Sequence, residues 1–323
     1  MVLLRALSRV GLLLLVGVLL AITPTVAAAE DTLAFTIDDA RITESSGLAA
    51  DPDGEIYWTV NDSGDRAVAY GIGLDGTVQG TLNYRAEPRD VEAVAVHENR
   101  LYIADIGDNN GRRSSVRVFF FDNPGANGLT VTYHAFDFSY PDGPHDAETL
   151  LVNDSGRLFI VTKGEDAAVY AAPAEPDRAG VNELNKVGSA PSGVTDGTFL
   201  PDGDRIALLT YNSVTVLDAS TYEVLSNTTI PAQPQAESLT VSLDQESLLV
   251  GSEGKKSNVY AIPVPTGASA TPTPSEDPGA EADVPEDRTD AIRNQKGTLL
   301  AIGLAGFVAL VAGTVVALVR THS

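Results

Sequence analysis

Five times between residues 33 and 264 the chain repeats one short pattern. A polar opening leads into a strand-like run: Glu44-Ser-Ser-Gly-Leu, Asp90-Val-Glu-Ala-Val, Asp146-Ala-Glu-Thr-Leu, Val194-Thr-Asp-Gly-Thr and Gln235-Ala-Glu-Ser-Leu. A turn follows, then a second run: Ile56-Tyr-Trp-Thr-Val, Leu101-Tyr-Ile-Ala, Leu158-Phe-Ile-Val-Thr, Ile206-Ala-Leu-Leu-Thr and Leu248-Leu-Val. Third runs begin at Val68, Val116, Ala168, Val214 and Val259, and fourth runs at Thr77, Leu129, Leu184 and Glu223. The runs are short and apolar, are separated by Asp-Gly, Asn-Asp and Pro-Asp turns, and never sustain a helical period. A period of about 41 to 56 residues with four strands per unit is that of β-propeller blades.

The fold class expected is therefore all-β, a propeller of four-stranded blades. The fifth unit lacks a fourth run, and Leu33-Ala-Phe-Thr-Ile, ahead of the first unit, can supply it and close the ring. Five blades follow from that count, and six if Asn123 to Pro144 holds a further hairpin.

The two ends of the chain read as addresses. Residues 1–29 have the form of a signal peptide: Arg5 and Arg9, an apolar stretch from Gly11 to Ile22, then Ala27-Ala28-Ala29 as a small-residue cleavage site,. Thr298 to Val319 carries no charge. As a helix it would be about 33 Å long, enough for a hydrocarbon core of about 30 Å. The domains expected are thus a signal peptide (1–29), a propeller (30–264), a stalk (265–297), a transmembrane helix (298–319) and a cytoplasmic stub (320–323). The stalk is rich in Pro, Thr, Ser, Ala, Glu and Asp with no periodic apolar face, a composition that does not pack. The expected placing is a single-pass cell-membrane protein with its propeller outside and its C-terminus in the cytoplasm.

With no cysteine in the chain, disulfides, thiolate metal sites and a lipid-carrying cysteine are all excluded,. Forty-four acidic against 21 basic residues leave a net charge of −23. Such a field repels nucleic acid and attracts cations.

In a propeller the first strand of each unit lines the central channel, and its start lies on the same face as the end of the second strand. Two polar sets then converge at one mouth. The opening positions supply Glu44 and Ser46, Asp90 and Glu92, Asp146 and Glu148, with Asp196 and Glu237 aligned to the second place of the pair and Val194 and Gln235 to the first. The second-strand ends supply Asn61-Asp62, Asp105 with Asp108-Asn109, Lys163 with Glu165, Asn212, and Glu253.

So many carboxylates cannot all remain ionised together without cations, hydrogen bonds or raised pKa values. Calcium, which takes oxygen ligands, is the cofactor expected, with Asp90, Glu92, Asp105, Asp108, Asp146, Glu148, Asp196 and Glu237 as candidate ligands. The structural alternative has the same acids capping backbone amides. No serine elbow, zinc helix, P-loop or dinucleotide fingerprint occurs. His145, just before Asp146, and Lys163 are the candidate catalytic groups.

Glu44-Ser-Ser-Gly-Leu with Asn61-Asp62-Ser63-Gly64, Asp90-Val-Glu, Ala104-Asp-Ile-Gly-Asp-Asn, and Tyr140-Pro-Asp-Gly through Lys163 resemble, as a set, secreted bacterial propellers of the phytase-like type, including those described as having esterase-like phytase activity. The resemblance covers roughly residues 41–263. It implies that Asp90, Glu92, Asp105, Asp108, Asp146 and Glu148 are calcium ligands, that Lys163 faces phosphate, and that the metals polarise a phosphoryl group and activate water. The chain lacks the longer acidic and basic motifs of true phytases, and has fewer blades than their six. Two functions therefore stand: a tethered propeller binding a ligand or protein partner at an acidic mouth, or a calcium-dependent phosphoesterase.

Overall fold

The computed structural model describes residues 31–62 and 66–265. The segments expected as signal peptide, transmembrane helix and stub, and all of the expected stalk but its first residue, lie outside the described residues. Among the described residues no helix is long and apolar enough to cross a membrane.

The first strand of the chain, β1 (Thr32–Ile37), belongs to the last blade. The first blade follows as β2 (Ser45–Asp51), β3 (Ile56–Asn61), β4 (Val68–Ile72) and β5 (Val78–Tyr84). The second blade comprises β6 (Val91–His97), β7 (Arg100–Asp105), β8 (Val116–Asp122) and β10 (His134–Ser139), with the two-residue β9 (Thr130–Val131) between the last two. The third comprises β11 (Ala147–Val152), β12 (Leu158–Thr162), β13 (Ala168–Ala171) and β15 (Asn185–Ser189), with β14 (Val181–Glu183) inserted. The fourth is β16 (Val194–Phe199), β17 (Arg205–Thr210), β18 (Ser213–Asp218) and β19 (Val224–Thr229). The fifth is β20 (Ala236–Val241), β21 (Ser247–Ser252), β22 (Ser257–Pro263) and β1, which pairs antiparallel with β22. The ring closes as the repeat requires, at five blades.

The stretch from Asn123 to Pro144 does not form a sixth blade, and the single fourth run expected from Leu129 to Phe138 is two strands. β10 completes the second blade, whereas β9 lies parallel to β5 on the outer edge of the first. β14 likewise lies parallel to β10 on the edge of the second blade. An outer edge of a blade leaves a row of unpaired backbone groups, and these short strands cover two of the five.

Each innermost strand touches its two neighbours, β2–β6–β11–β16–β20 and back to β2, enclosing the channel. The apolar core is five layers, one between each pair of blades. The strands are buried on both faces, which is why they read as continuous apolar runs and not as alternation. Trp58 and Tyr57 are buried, and the Trp58 indole donates to the Asp51 carboxylate at 2.8 Å.

Ile37 sits at 2% exposure in the layer between the fifth and first blades. Ile37→Ala should therefore destabilise the whole ring, by about 2–5 kcal/mol, read as a lower urea midpoint with the transition still single. An unchanged midpoint would mean that β1 does not hold the closure.

Candidate functional site

At the start of every innermost strand the pairing with the second strand slips by one residue. The extra residue is Gly47, Glu92, Glu148, Thr195 or Glu237 in blades one to five. A bulge turns its side chain away from the regular alternation, and here it aims the three glutamates into the channel. In the first blade the bulge falls on Gly47, at φ +71°, and a Cβ there would lie 2.9 Å from the Val94 nitrogen. Ser46 then takes the place of the glutamate, donating to the Glu92 carbonyl at 2.6 Å. Thr195 does the same in the fourth blade, donating to the Ala236 carbonyl at 2.7 Å.

The fourth blade is thus one residue out from the alignment read in the sequence. Thr195, not Asp196, matches Glu92, Glu148 and Glu237. A slip of one residue changes the face on which a strand residue lies. Asp196 is 1% exposed, takes the amides of Gly197 (2.8 Å) and Leu239 (2.6 Å), and thereby ties the fourth blade to the fifth.

A second set follows from a recurring backbone bond. The amides of Asp62, Gly107, Lys163 and Glu253 donate to the carbonyls of Glu44, Asp90, Asp146 and Gln235, the first residue of each opening pair. Those bonds hold Asp62, Lys163 and Glu253 at the rim, one residue past the paired end of the second strand. In the fourth blade Val194 pairs with Thr210, so the residue in that place is Tyr211, not Asn212. Tyr211 is 45% exposed, with the Lys163 ammonium 5.5 Å from its ring centre.

The bulge glutamates and the rim residues Asp62, Lys163 and Glu253 line a cavity of about 140 Å³ at this mouth of the channel, with Tyr211 beside its Lys163 wall. Among the described residues its wall carries the carboxyl groups of Glu44, Asp62, Glu92, Glu148, Glu237 and Glu253, one cationic side chain, Lys163, and the neutral Ser45, Ser46, Asn109 and Gln235. Lys163 is bonded to Glu148. Burial works against the Lys163 ammonium, but the hydrogen bond and charge of Glu148 outweigh it and hold its pKa above the usual value. Burial also raises Glu148, with Lys163 opposing. Glu237 is pushed up to about 6 by burial, against the Gln235 amide that donates to it at 3.0 Å.

Glu92 is the extreme case. Its side chain lines the cavity with the residue only 4% exposed, and it accepts no hydrogen bond among the described residues. Burial, with the charges of Asp62, Glu148, Asp90 and Asp146 behind it, pushes its pKa up to about 10. Oxygens of Asp62, Asp90 and Glu92 lie within 4.8 Å of one another. Gly107 backs this corner so closely that a Cβ would stand 2.5 Å from Glu92 Oε1 and 2.6 Å from Asp90 Oδ2.

The remaining predicted acids are spent on the loop after β7. Asp105 accepts the amides of Arg89 and Asp90 (both 3.1 Å) and pairs with the largely buried Arg113 at 2.7 Å. Asp108 accepts the amides of Arg112 and Arg113, and its own amide donates to Asp146 at 2.7 Å. These three carboxylates act as caps that shape the loop bringing Gly107 and Asn109 to the mouth. His145 stands apart from the cavity, bonded to Asp142 (2.9 Å) and to the Tyr170 hydroxyl (3.1 Å), so the fold does not bring it to Lys163.

No family model and no curated protein matches the chain. Among solved structures, it is similar to a gluconolactonase from Xanthomonas campestris at 14% identity and TM-score 0.43, over 71% of this chain and 89% of that one. It is also similar to the β-propeller domain of Cps50 (Swd1) from Myceliophteria thermophila at 14% identity and TM-score 0.41, over 76% and 72%. Neither likeness carries an activity to this chain.

Glu92 gives the metal-free fold a pH dependence of definite sign. Its carboxyl ionises near 4.5 when unperturbed and near 10 in the fold. Between those values the folded state keeps a proton that the unfolded state has lost, so its stabilising contribution is full below about pH 4.5 and declines as pH rises towards about 10. In EDTA the melting temperature should fall from pH 5 to pH 9, and Glu92→Gln should flatten that slope. Equal slopes in the two proteins would show that Glu92 is not the titrating group.

Proposed function

We propose that this chain is a membrane-anchored extracellular propeller that holds calcium at its acidic mouth and there takes a ligand or protein partner. The observation that carries the reading is Glu92, a buried carboxyl with no hydrogen-bond donor among the described residues, beside Asp62 and Asp90. Three oxygens within 4.8 Å of one another can all sit at about 2.3–2.6 Å from one calcium ion. Asp62, Asp90 and Glu92 are the residues that would hold it, and the nearby Asn109 carbonyl and water supply the further oxygens that calcium takes. A bound divalent cation offsets the repulsion within the corner and offers open coordination positions towards the cavity.

Anchoring is supported by the uncharged run Thr298–Val319 and by the signal-like residues 1–29. The last described strand descends from the mouth to the opposite rim, where Arg205 Nη1 donates to the Pro265 carbonyl at 2.5 Å. The described chain therefore ends, at Pro265, on the face opposite the mouth. Binding is favoured over phosphoester hydrolysis because Lys163, the group that would face phosphate, is already bonded to Glu148.

Calcium titrated into the chelated protein should give saturable heat and a higher melting temperature. Glu92→Gln and Asp62→Asn should each weaken it at least tenfold, and Gly107→Ala should do so while leaving the EDTA melting curve nearly in place. Absence of heat and of any melting shift would remove calcium from the account.

A further inference from the structure

The mouth's chemistry also limits what can lie in it. We infer that its ligand is a neutral polyhydroxylated molecule, a carbohydrate or polyol, bound through adjacent hydroxyls to the cation and against the ring of Tyr211. The inference rests on the cation reading above.

Charge is the first consideration. Among the described residues six carboxyl groups face one ammonium in the cavity wall, and that ammonium is taken by Glu148. One divalent ion offsets only part of this excess, so an anionic ligand would enter against a negative field. Among the described residues no arginine lines the cavity wall. Arg41 pairs with Asp39 and Arg113 with Asp105, while Arg89 and Arg112 are exposed and outside the cavity wall.

Hydrogen-bonding capacity points the same way. Carboxylates only accept, and Glu44, Glu237 and Glu253 present acceptors to the cavity while Asn109 adds an amide with no side-chain partner among the described residues. An acceptor-rich wall is matched by a ligand rich in O–H donors. Hydroxyl oxygens are also ligands that calcium accepts beside carboxylates and water. Tyr211 supplies the apolar element. Its ring stands at the rim, 45% exposed, opposite the metal corner in blade order, with Lys163 beside it. A sugar's C–H face packs on such a ring as its hydroxyls turn to the acids. The cavity's 140 Å³ equals about four to five waters at roughly 30 Å³ each,, so it admits one terminal ring and not a chain laid lengthwise.

The test uses the full-length chain in detergent, loaded with calcium, on an array of neutral glycans, with inositol hexakisphosphate and spermidine as charged probes. A calcium titration is run alongside. The expected result is retention of at least one neutral glycan that EDTA abolishes and little retention of either charged probe. Tyr211→Ala should weaken glycan binding at least tenfold with calcium affinity unchanged, and Tyr211→Phe, which keeps the ring, should stay within about threefold of the native protein. Calcium binding without any neutral glycan, preference for the phosphate or amine probe, glycan binding that survives EDTA, or indifference to Tyr211→Ala would each overturn the inference. Failure of the calcium titration itself would instead remove the reading on which it stands.

Discussion

The antiparallel pairing of β1 with β22 is the contact on which everything else in this molecule depends. It joins residues more than two hundred positions apart, Thr32 with Ala261 and Ile37 with Ser257. Until it forms, the fifth blade lacks its outer strand and the layer containing Phe35 and Ile37 has no partner to bury against. A propeller blade cannot hide both of its faces alone, so each depends on the next, and the last depends on the first. Closure fixes the diameter of the channel, and the diameter decides how near the five bulge positions come to one another.

That nearness is what gives the mouth its chemistry. Glu92, Glu148 and Glu237 would be ordinary surface acids on a flat sheet. Set at bulges around a narrow ring, they are buried at 4–6% exposure, and burial raises the pKa of each. The fold manages the cost unevenly. Glu148 receives Lys163 and Glu237 receives Gln235, whereas the Glu92 carboxyl receives no donor among the described residues. A buried carboxyl left without a donor, beside two further carboxylates, is suited to a group that the protein itself does not supply.

Around this corner the acids divide by what they touch. Asp105, Asp108, Asp146 and Asp196 are all capping groups, each taking at least one backbone amide. They hold the loop and the blades that present Asp62, Asp90 and Glu92. Capping and cation binding were alternatives for one ring of carboxylates when only residue types were visible. In the fold both uses are available, to different members of that ring.

The repeat was legible in the sequence because each strand must be apolar to be buried between blades and each turn must be polar to leave it. Four strands per unit, five units, and closure by the segment at Leu33 all follow from that rule, and all are present. The converging mouth was legible too, since Asp90, Glu92, Glu148 and Lys163 recur at matching places. What the pattern could not fix was register. In the fourth unit a shift of one residue moved Asp196 from the mouth into a cap between blades and moved the rim position from Asn212 to Tyr211. Neighbouring residues of similar polarity satisfy the same pattern, and only hydrogen-bonded pairing distinguishes them. Nor could it say that Arg113, and not Arg112, would turn inward to Asp105, or that His145 would face Asp142 and Tyr170. The sequence by itself determined the repeat and the kinds of residue that ring the channel, because burial and turn formation act on each residue locally. Only the tertiary structure decided which of those residues meet, because ring closure and strand register place groups from distant blades within a few ångströms of one another.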